Sequence, residues 1–165
     1  MLRSTIGSLL VVAAVAILIA NIWIPVLQIT GTSMAPTLKE GEVVLCLKNS
    51  NYSAGDLVAF YYGNKVLVKR YIAGPGDVVD IADDGTVSVN GVELNEPYVS
   101  ELALGETDLN YPYQVPESRY FVMGDHRSVS MDSRLSQIGC IADEQMIGKL
   151  ILRVWPLSGI GNPDK

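Results

Sequence analysis

The side chain most open to chemistry is the hydroxyl of Ser33, set in Gly31-Thr32-Ser33-Met34-Ala35-Pro36-Thr37. A serine hydroxyl is a weak nucleophile and needs a base within hydrogen-bond reach. Lys69 is one candidate. It lies in Lys65-Val66-Leu67-Val68-Lys69-Arg70-Tyr71-Ile72-Ala73, a run of strand type whose side chains alternate between faces. Leu67, Lys69 and Tyr71 share one face, and Val66, Val68, Arg70 and Ile72 share the other. Among apolar neighbours the charged ammonium is disfavoured, which can lower a lysine pKa by up to ~3–5 units and yield a usable general base. The other candidate is His126, the single histidine. It lies in Gly124-Asp125-His126-Arg127-Ser128-Val129-Ser130-Met131-Asp132-Ser133-Arg134, a segment rich in acids, arginines and serines. A Ser33–His126 triad would take Asp125 or Asp132 as its third member. Asp125, adjacent in sequence, points away from His126 in an extended chain, so Lys69 is the expected base. Asp–Arg pairs in this segment could fix its backbone while one hydroxyl reaches the site.

These residues need a frame, and the chain after the N-terminal segment reads as short strands bounded by turns. Val43–Leu47, Asp56–Tyr62, Lys65–Ala73, Val78–Ile81, Thr86–Val89, Tyr120–Met123 and Ile147–Trp155 have strand character. Gly63-Asn64, Asp84-Gly85 and Asn90-Gly91 read as two-residue hairpin turns. Gly74-Pro75-Gly76-Asp77 fits a type II turn with Gly76 at positive φ, closing the Lys69 strand. The expected fold is mainly β, an antiparallel barrel or sandwich. Residues 95–118, interrupted by Pro97, Gly105, Pro112 and Pro116, read as an irregular surface excursion, and 161–165 as a frayed tail.

No charge occurs between Arg3 and Lys39, and Ile6 to Ile24 is almost wholly apolar, about the ~20 residues needed to cross a bilayer. The expected organisation is a short cytoplasmic start (1–5), a transmembrane anchor (6–26) and an extracytoplasmic β-rich domain (27–165). Arg3 sets the orientation and Trp23 lies at the far interface. A cleavable secretory signal ending near Ala20 is the competing reading. The apolar stretch runs on through Ile22, Trp23, Ile24, Val26 and Leu27, and the Ser33 loop follows at once, which favours a retained anchor.

A net charge of −6 over 165 residues argues against a nucleic-acid partner, whose phosphates call for a Lys/Arg surplus. Cys46 and Cys140 are too far apart in sequence for a zinc motif, so no metal is expected. They read as buried small hydrophobes, with a disulfide left open. No cofactor motif is present.

Taken together, the Ser33, Lys69 and Gly124–Arg134 stretches resemble type I signal peptidases, the membrane-bound Ser/Lys proteases of bacteria. Gly148-Lys149 through Arg153-Val154-Trp155-Pro156 is similar to the family's closing strand. The likeness spans nearly the whole chain in the family's order. It implies that Ser33 is the nucleophile, Lys69 the general base and Ser130 the hydroxyl orienting that base. It implies structural ion pairs of Arg70 with Asp125 and of Arg134 with Asp132. Ile29, Met34, Leu38, Leu67 and Val68 match positions lining small pockets that accept Ala-x-Ala before the cleavage site. Gly31 stands where Gram-negative members carry an oxyanion-donating serine, which leaves the oxyanion to backbone N–H groups, chiefly that of Ser33, as in Gram-positive-like members. His126 stands where bacterial members usually have Asn, and a structural role is expected for it. The implied partners are signal-peptide-bearing preproteins and membrane lipid, with the export translocon nearby. Two rival readings are a repressor-type self-cleaving Ser/Lys protease and an anchored, non-enzymatic β-domain.

Overall fold

In the computed structural model, residues 2–48 and 51–164 are described, except for the side chains of 2–4 and 19–21. One helix, α1 (Leu2–Trp23), is followed by eleven strands. The strands are β1 (Val26–Gln28), β2 (Val43–Lys48), β3 (Leu57–Tyr62), β4 (Lys65–Ala73), β5 (Val78–Ile81), β6 (Val87–Val89), β7 (Val92–Glu93), β8 (Tyr113–Gln114), β9 (Arg119–Met123), β10 (Ile141–Ala142) and β11 (Met146–Trp155). They form a seven-stranded sheet in the order β1-β2-β11-β3-β4-β9-β10 and a four-stranded sheet in the order β7-β6-β5-β8. All pairings are antiparallel.

The seven runs read as strands all form strands, shifted by one residue at some ends. The two- and three-residue strands β1, β7, β8 and β10 are added by sheet pairing that so short a stretch does not advertise. Turn chemistry explains the hairpins. Gly63 has φ 56° between β3 and β4, and Asn90 and Gly91 both have positive φ between β6 and β7, as a type I′ turn requires. The Asp84-Gly85 connection is wider than two residues. Ala82 N–H donates to Thr86 C=O and Gly85 N–H to Ala82 C=O, so a five-residue loop with Gly85 at φ 91° joins β5 to β6.

The core lies in three apolar clusters. Val44, Cys46, Leu57, Ala59, Ile147 and Leu150 pack beneath the Ser33 loop, which adds Ile29, Met34 and Leu38. A second cluster joins Ile72, Phe121 and Met123 to β5 and β6. A third joins Val58, Phe60, Tyr71, Val122 and Ile141. Cys46 belongs to the first and Cys140 to the second, and both are free thiols, so no disulfide links them. Burial pushes the Cys46 thiol up to about 11, with Lys48 opposing, which keeps it unreactive.

Residues 95–118 are irregular apart from β8 and mostly exposed or half-buried, with Val115 buried and Leu104, Leu109 and Tyr111 resting on the second cluster. One expectation changes. The 161–164 segment is tied down rather than frayed. Arg153 and Gly161 exchange backbone hydrogen bonds of 2.8 and 3.1 Å, and Pro163 is buried. Lys165 lies outside the described residues.

α1 carries exposed Leu9, Leu10, Val11, Val12, Ile17 and Leu18, with Ile22 and Trp23 exposed at its end. Among the described residues no helix is long and apolar enough to cross a membrane. Met1 and the side chains of Arg3 and Ala20, on which the orientation and the cleavage alternative rested, lie outside the described residues.

Candidate active site

The Ser33 loop is shaped by local hydrogen bonds and anchored by burial. Gly31 has φ 80°, Ala35 N–H donates to Thr32 C=O at 3.0 Å, and Leu38 N–H donates to Met34 C=O at 2.9 Å. One helical turn therefore carries Met34 and Leu38 on a common face, where both are buried in the first cluster. That burial leaves Ser33 half-exposed on the opposite side. The N–H of Ser33 takes no partner among the described residues and is free to bind an incoming oxygen.

Lys69 enters from β4, opposite Val58 of β3. It is 4% exposed, and its amine donates to Ser130 Oγ at 3.0 Å. Burial pulls its pKa from 10.5 down to about 8; the nearby Asp132 carboxylate opposes the shift and the Arg134 guanidinium adds to it. A deprotonated amine is therefore accessible near neutrality. Ser33, Lys69 and Leu67 line one cleft of about 540 Å³, with Val129 and Met131 on one side and the Tyr62–Lys65 hairpin on the other. A smaller pocket of about 60 Å³ adjoins it, lined by Ile29, Met34, Leu67 and Val68 together with Ser33 and Lys69. Of the expected pocket residues, Leu38 alone lies elsewhere. It is fully buried beneath the loop, because the turn directs it into the core.

The loop after β9 brings Ser130 to the Lys69 amine. Arg134 holds both Asp132 oxygens, Nε to Oδ1 at 2.8 Å and Nη2 to Oδ2 at 2.9 Å, with both side chains buried. Asp132 also accepts the Gly124 N–H at 2.9 Å, pinning both ends of the loop together. Arg70, next to Lys69 but on the other face of β4, makes the second pair: Nε to Asp125 Oδ1 at 2.8 Å and Nη2 to Asp125 Oδ2 at 2.6 Å. Burial alone would pull the Arg70 pKa down, but its bonds to Asp125 and Asp164 hold it above the ordinary value. No buried side-chain nitrogen or oxygen among the described residues lacks a partner. A fully satisfied network of this kind is rigid.

The structure assembles no Ser-His-Asp triad. His126 N–H donates to Ser33 C=O at 3.1 Å, and His126 Nδ1 lies 3.3 Å from Thr32 C=O. The ring thus braces the loop backbone. Asp125 and Asp132 are taken up by arginines and point away from it.

Several contributors were not legible beforehand. Thr37 Oγ1 donates to Asp125 Oδ2, tying the end of the Ser33 loop to the Arg70 pair. Tyr98 stacks its ring 3.6 Å from the Arg70 guanidinium, and Glu96 pairs with buried Arg127 at 2.6 Å. Gly124 must be glycine, because a β carbon there would overlap the Ser130 hydroxyl and the Ser33 carbonyl oxygen. Thr37 and Gly124 stood within the motif stretches, but nothing in residue type showed what they would touch.

The arrangement suits acyl transfer: a hydroxyl, a buried amine held by a second hydroxyl, and a free backbone N–H around one cleft. Comparison with known proteins agrees. The family model described as signal peptidase, peptidase S26, matches residues 2–155. Signal peptidase I of Bacillus licheniformis is 34% identical over 96% of this chain and 91% of its own length. Signal peptidase I T of Bacillus subtilis (strain 168) is 36% identical over 86% of this chain and 80% of its own. A crystal structure of a signal peptidase I from Enterococcus faecalis V583 superposes with a TM-score of 0.50 at 30% identity, covering 61% of this chain and 97% of that one. The chain belongs to the signal peptidase family, peptidase S26, as a serine endopeptidase of the Gram-positive type I kind.

Proposed function

We propose that Ser33 and Lys69 form the catalytic dyad of a membrane-anchored endopeptidase that removes signal peptides from exported preproteins after Ala-x-Ala-like sites. The observation that carries this reading is the buried Lys69 amine, held by Ser130 at 3.0 Å in the wall of the cleft that Ser33 also lines. Neutral Lys69 takes the Ser33 proton as Oγ attacks the scissile carbonyl. The oxyanion is received by the Ser33 N–H. The protonated amine then gives its proton to the leaving amine, and a water activated by Lys69 releases the acyl-enzyme.

Substrate shape follows from the surroundings. Among the described residues β9 pairs only with Arg70–Ala73 of β4, and the 65–69 half of β4 has one edge without a strand partner beside the cleft. An extended peptide can add to such an edge, with alternate side chains entering pockets. The small pocket, about 60 Å³, suits an alanine methyl better than a large side chain.

The backbone of α1 runs 22 residues, ~33 Å at 1.5 Å per residue, and its sequence holds no charge after Arg3. We therefore read it as a single-pass anchor with a cytoplasmic N-terminus and an extracytoplasmic catalytic domain, near the translocon that delivers preproteins. The test is cleavage of a preprotein with an Ala-x-Ala site by wild type, Ser33→Ala, Lys69→Ala and His126→Ala. The first two variants lose cleavage and the third keeps most of it. An active Lys69→Ala with a dead but folded His126→Ala would reverse the base assignment.

A further inference from the structure

The segment after β11 folds back over the side of the Ser33 loop that faces away from the cleft, and it is latched at two points. Near β11, Arg153 and Gly161 exchange backbone hydrogen bonds, and Arg153 Nε donates to Gly159 C=O at 3.0 Å. At the far point, Asp164 Oδ1 lies 2.8 Å from Arg70 Nη2. Both latches also hold Thr37. Arg153 Nη1 donates to its carbonyl at 3.4 Å, and its hydroxyl donates to Asp125, the partner of Arg70.

The Arg70 guanidinium has five N–H groups. Asp125 takes the fork formed by Nε and Nη2, and Gly55 C=O takes Nη1 at 2.6 Å. Asp164, itself partly exposed, adds an ion pair to Nη2 at 2.8 Å. A buried guanidinium that loses a charged partner is free to tilt, and its remaining carboxylate moves with it. That carboxylate is Asp125. It carries Thr37 at one end of the nucleophile loop, and its neighbour His126 holds the Ser33 carbonyl by its N–H.

We propose that Asp164 is a positioning residue for the reaction, completing the charge partners of Arg70 so that Asp125, Thr37 and His126 hold the Ser33 loop in its reactive geometry. The inference rests on the reading of Ser33 as the nucleophile. Asp164 lines neither the cleft nor the small pocket, so it affects catalysis without touching substrate.

The experiment uses the full chain in detergent with a preprotein bearing an Ala-x-Ala site. It compares wild type, Asp164→Ala, Asp164→Glu and Ser33→Ala, with competent sites counted from the burst of acyl-enzyme. Asp164→Ala should lose ~10-fold in kcat per competent site, since small misplacements of reacting groups cost that much or more, with KM within about twofold of wild type. Asp164→Glu should recover most of the loss. Unchanged kcat per competent site in Asp164→Ala overturns the proposal, even if its Tm falls. So does a rise in KM alone, or a Glu variant as impaired as the Ala variant. Ser33→Ala separates the two levels: an active Ser33→Ala overturns the nucleophile assignment itself, whereas an inactive one leaves the Asp164 variants to decide the positioning role.

Discussion

At the scale of single residues, the proposed dyad turns on the protonation of Lys69. Its pKa, drawn down to about 8 by burial, places the base-competent form at and above mildly alkaline pH. kcat/KM should therefore rise with pH along an acid limb with a midpoint near 8, measured on a short Ala-x-Ala peptide; an acid limb flat from pH 6 to 9 would remove lysine as the base. The same shift acts on stability. Between about 8 and 10.5 the unfolded chain binds a proton that the folded one does not, so stability rises with pH across that window. Below about 8 the buried ammonium opposes folding. Lys69→Met should thus be more stable than wild type at pH 7, by on the order of 1–3 kcal/mol in urea titrations, with the gap shrinking towards pH 10. Gly124→Ala forces a β carbon against Ser130 and the Ser33 carbonyl, and should cost ~10²-fold or more in kcat while the far-ultraviolet circular dichroism stays that of the wild type.

At the scale of elements, the proposed selectivity pocket lies where β4 meets the segment between β1 and the Ser33 turn. Ile29, Met34 and Val68 leave only about 60 Å³ beside Ser33. Replacing the alanine before the scissile bond by leucine should lower kcat/KM at least ~100-fold, and Val68→Ala should recover part of that loss by widening the wall, read from paired kinetics on the two peptides. Val68 also packs against the first cluster, so that gain comes with some loss of stability. Legibility at this scale was uneven. The long strands β3, β4 and β11 and the hairpins at Gly63 and Asn90-Gly91 were readable because alternation and positive-φ residues are local signals. The buried role of Leu38 was not, because its direction depends on a turn closed by Leu38 and Met34 backbone groups and on the sheet underneath.

At the scale of the whole molecule, α1 is distinct from everything after it. Its side chains from Thr5 to Leu18 are exposed, whereas Val58, Phe60 and Phe121 in the sheets are fully buried. If α1 is the anchor, the protein made in bacteria should sediment with membranes and resist alkaline carbonate extraction. A form starting after Trp23 should appear in the soluble fraction and still cleave a short peptide, since Ser33, Lys69 and Ser130 are all positioned by the β-domain. Recovery of the full-length chain in the soluble fraction would count against the anchor.

The family, and the candidate residues of the site, were legible from local chemistry: a serine in a small-residue loop, a lysine in an apolar strand, and a cluster of paired charges. Hydrophobic alternation and turn residues likewise showed an antiparallel β frame, since both act over only a few residues. Other features arose from contacts across long separations in the chain. Ser130 reaches Lys69 across 61 residues, and Thr37 reaches Asp125 across 88. Cys46 and Cys140 are held in different clusters, and His126 faces the loop backbone instead of a carboxylate. Asp164 became a partner of Arg70 only because the end of the chain folds back over β11. A carboxylate near a chain end carries no sign of the buried cation it will meet, because that cation is buried by the packing of every strand around it.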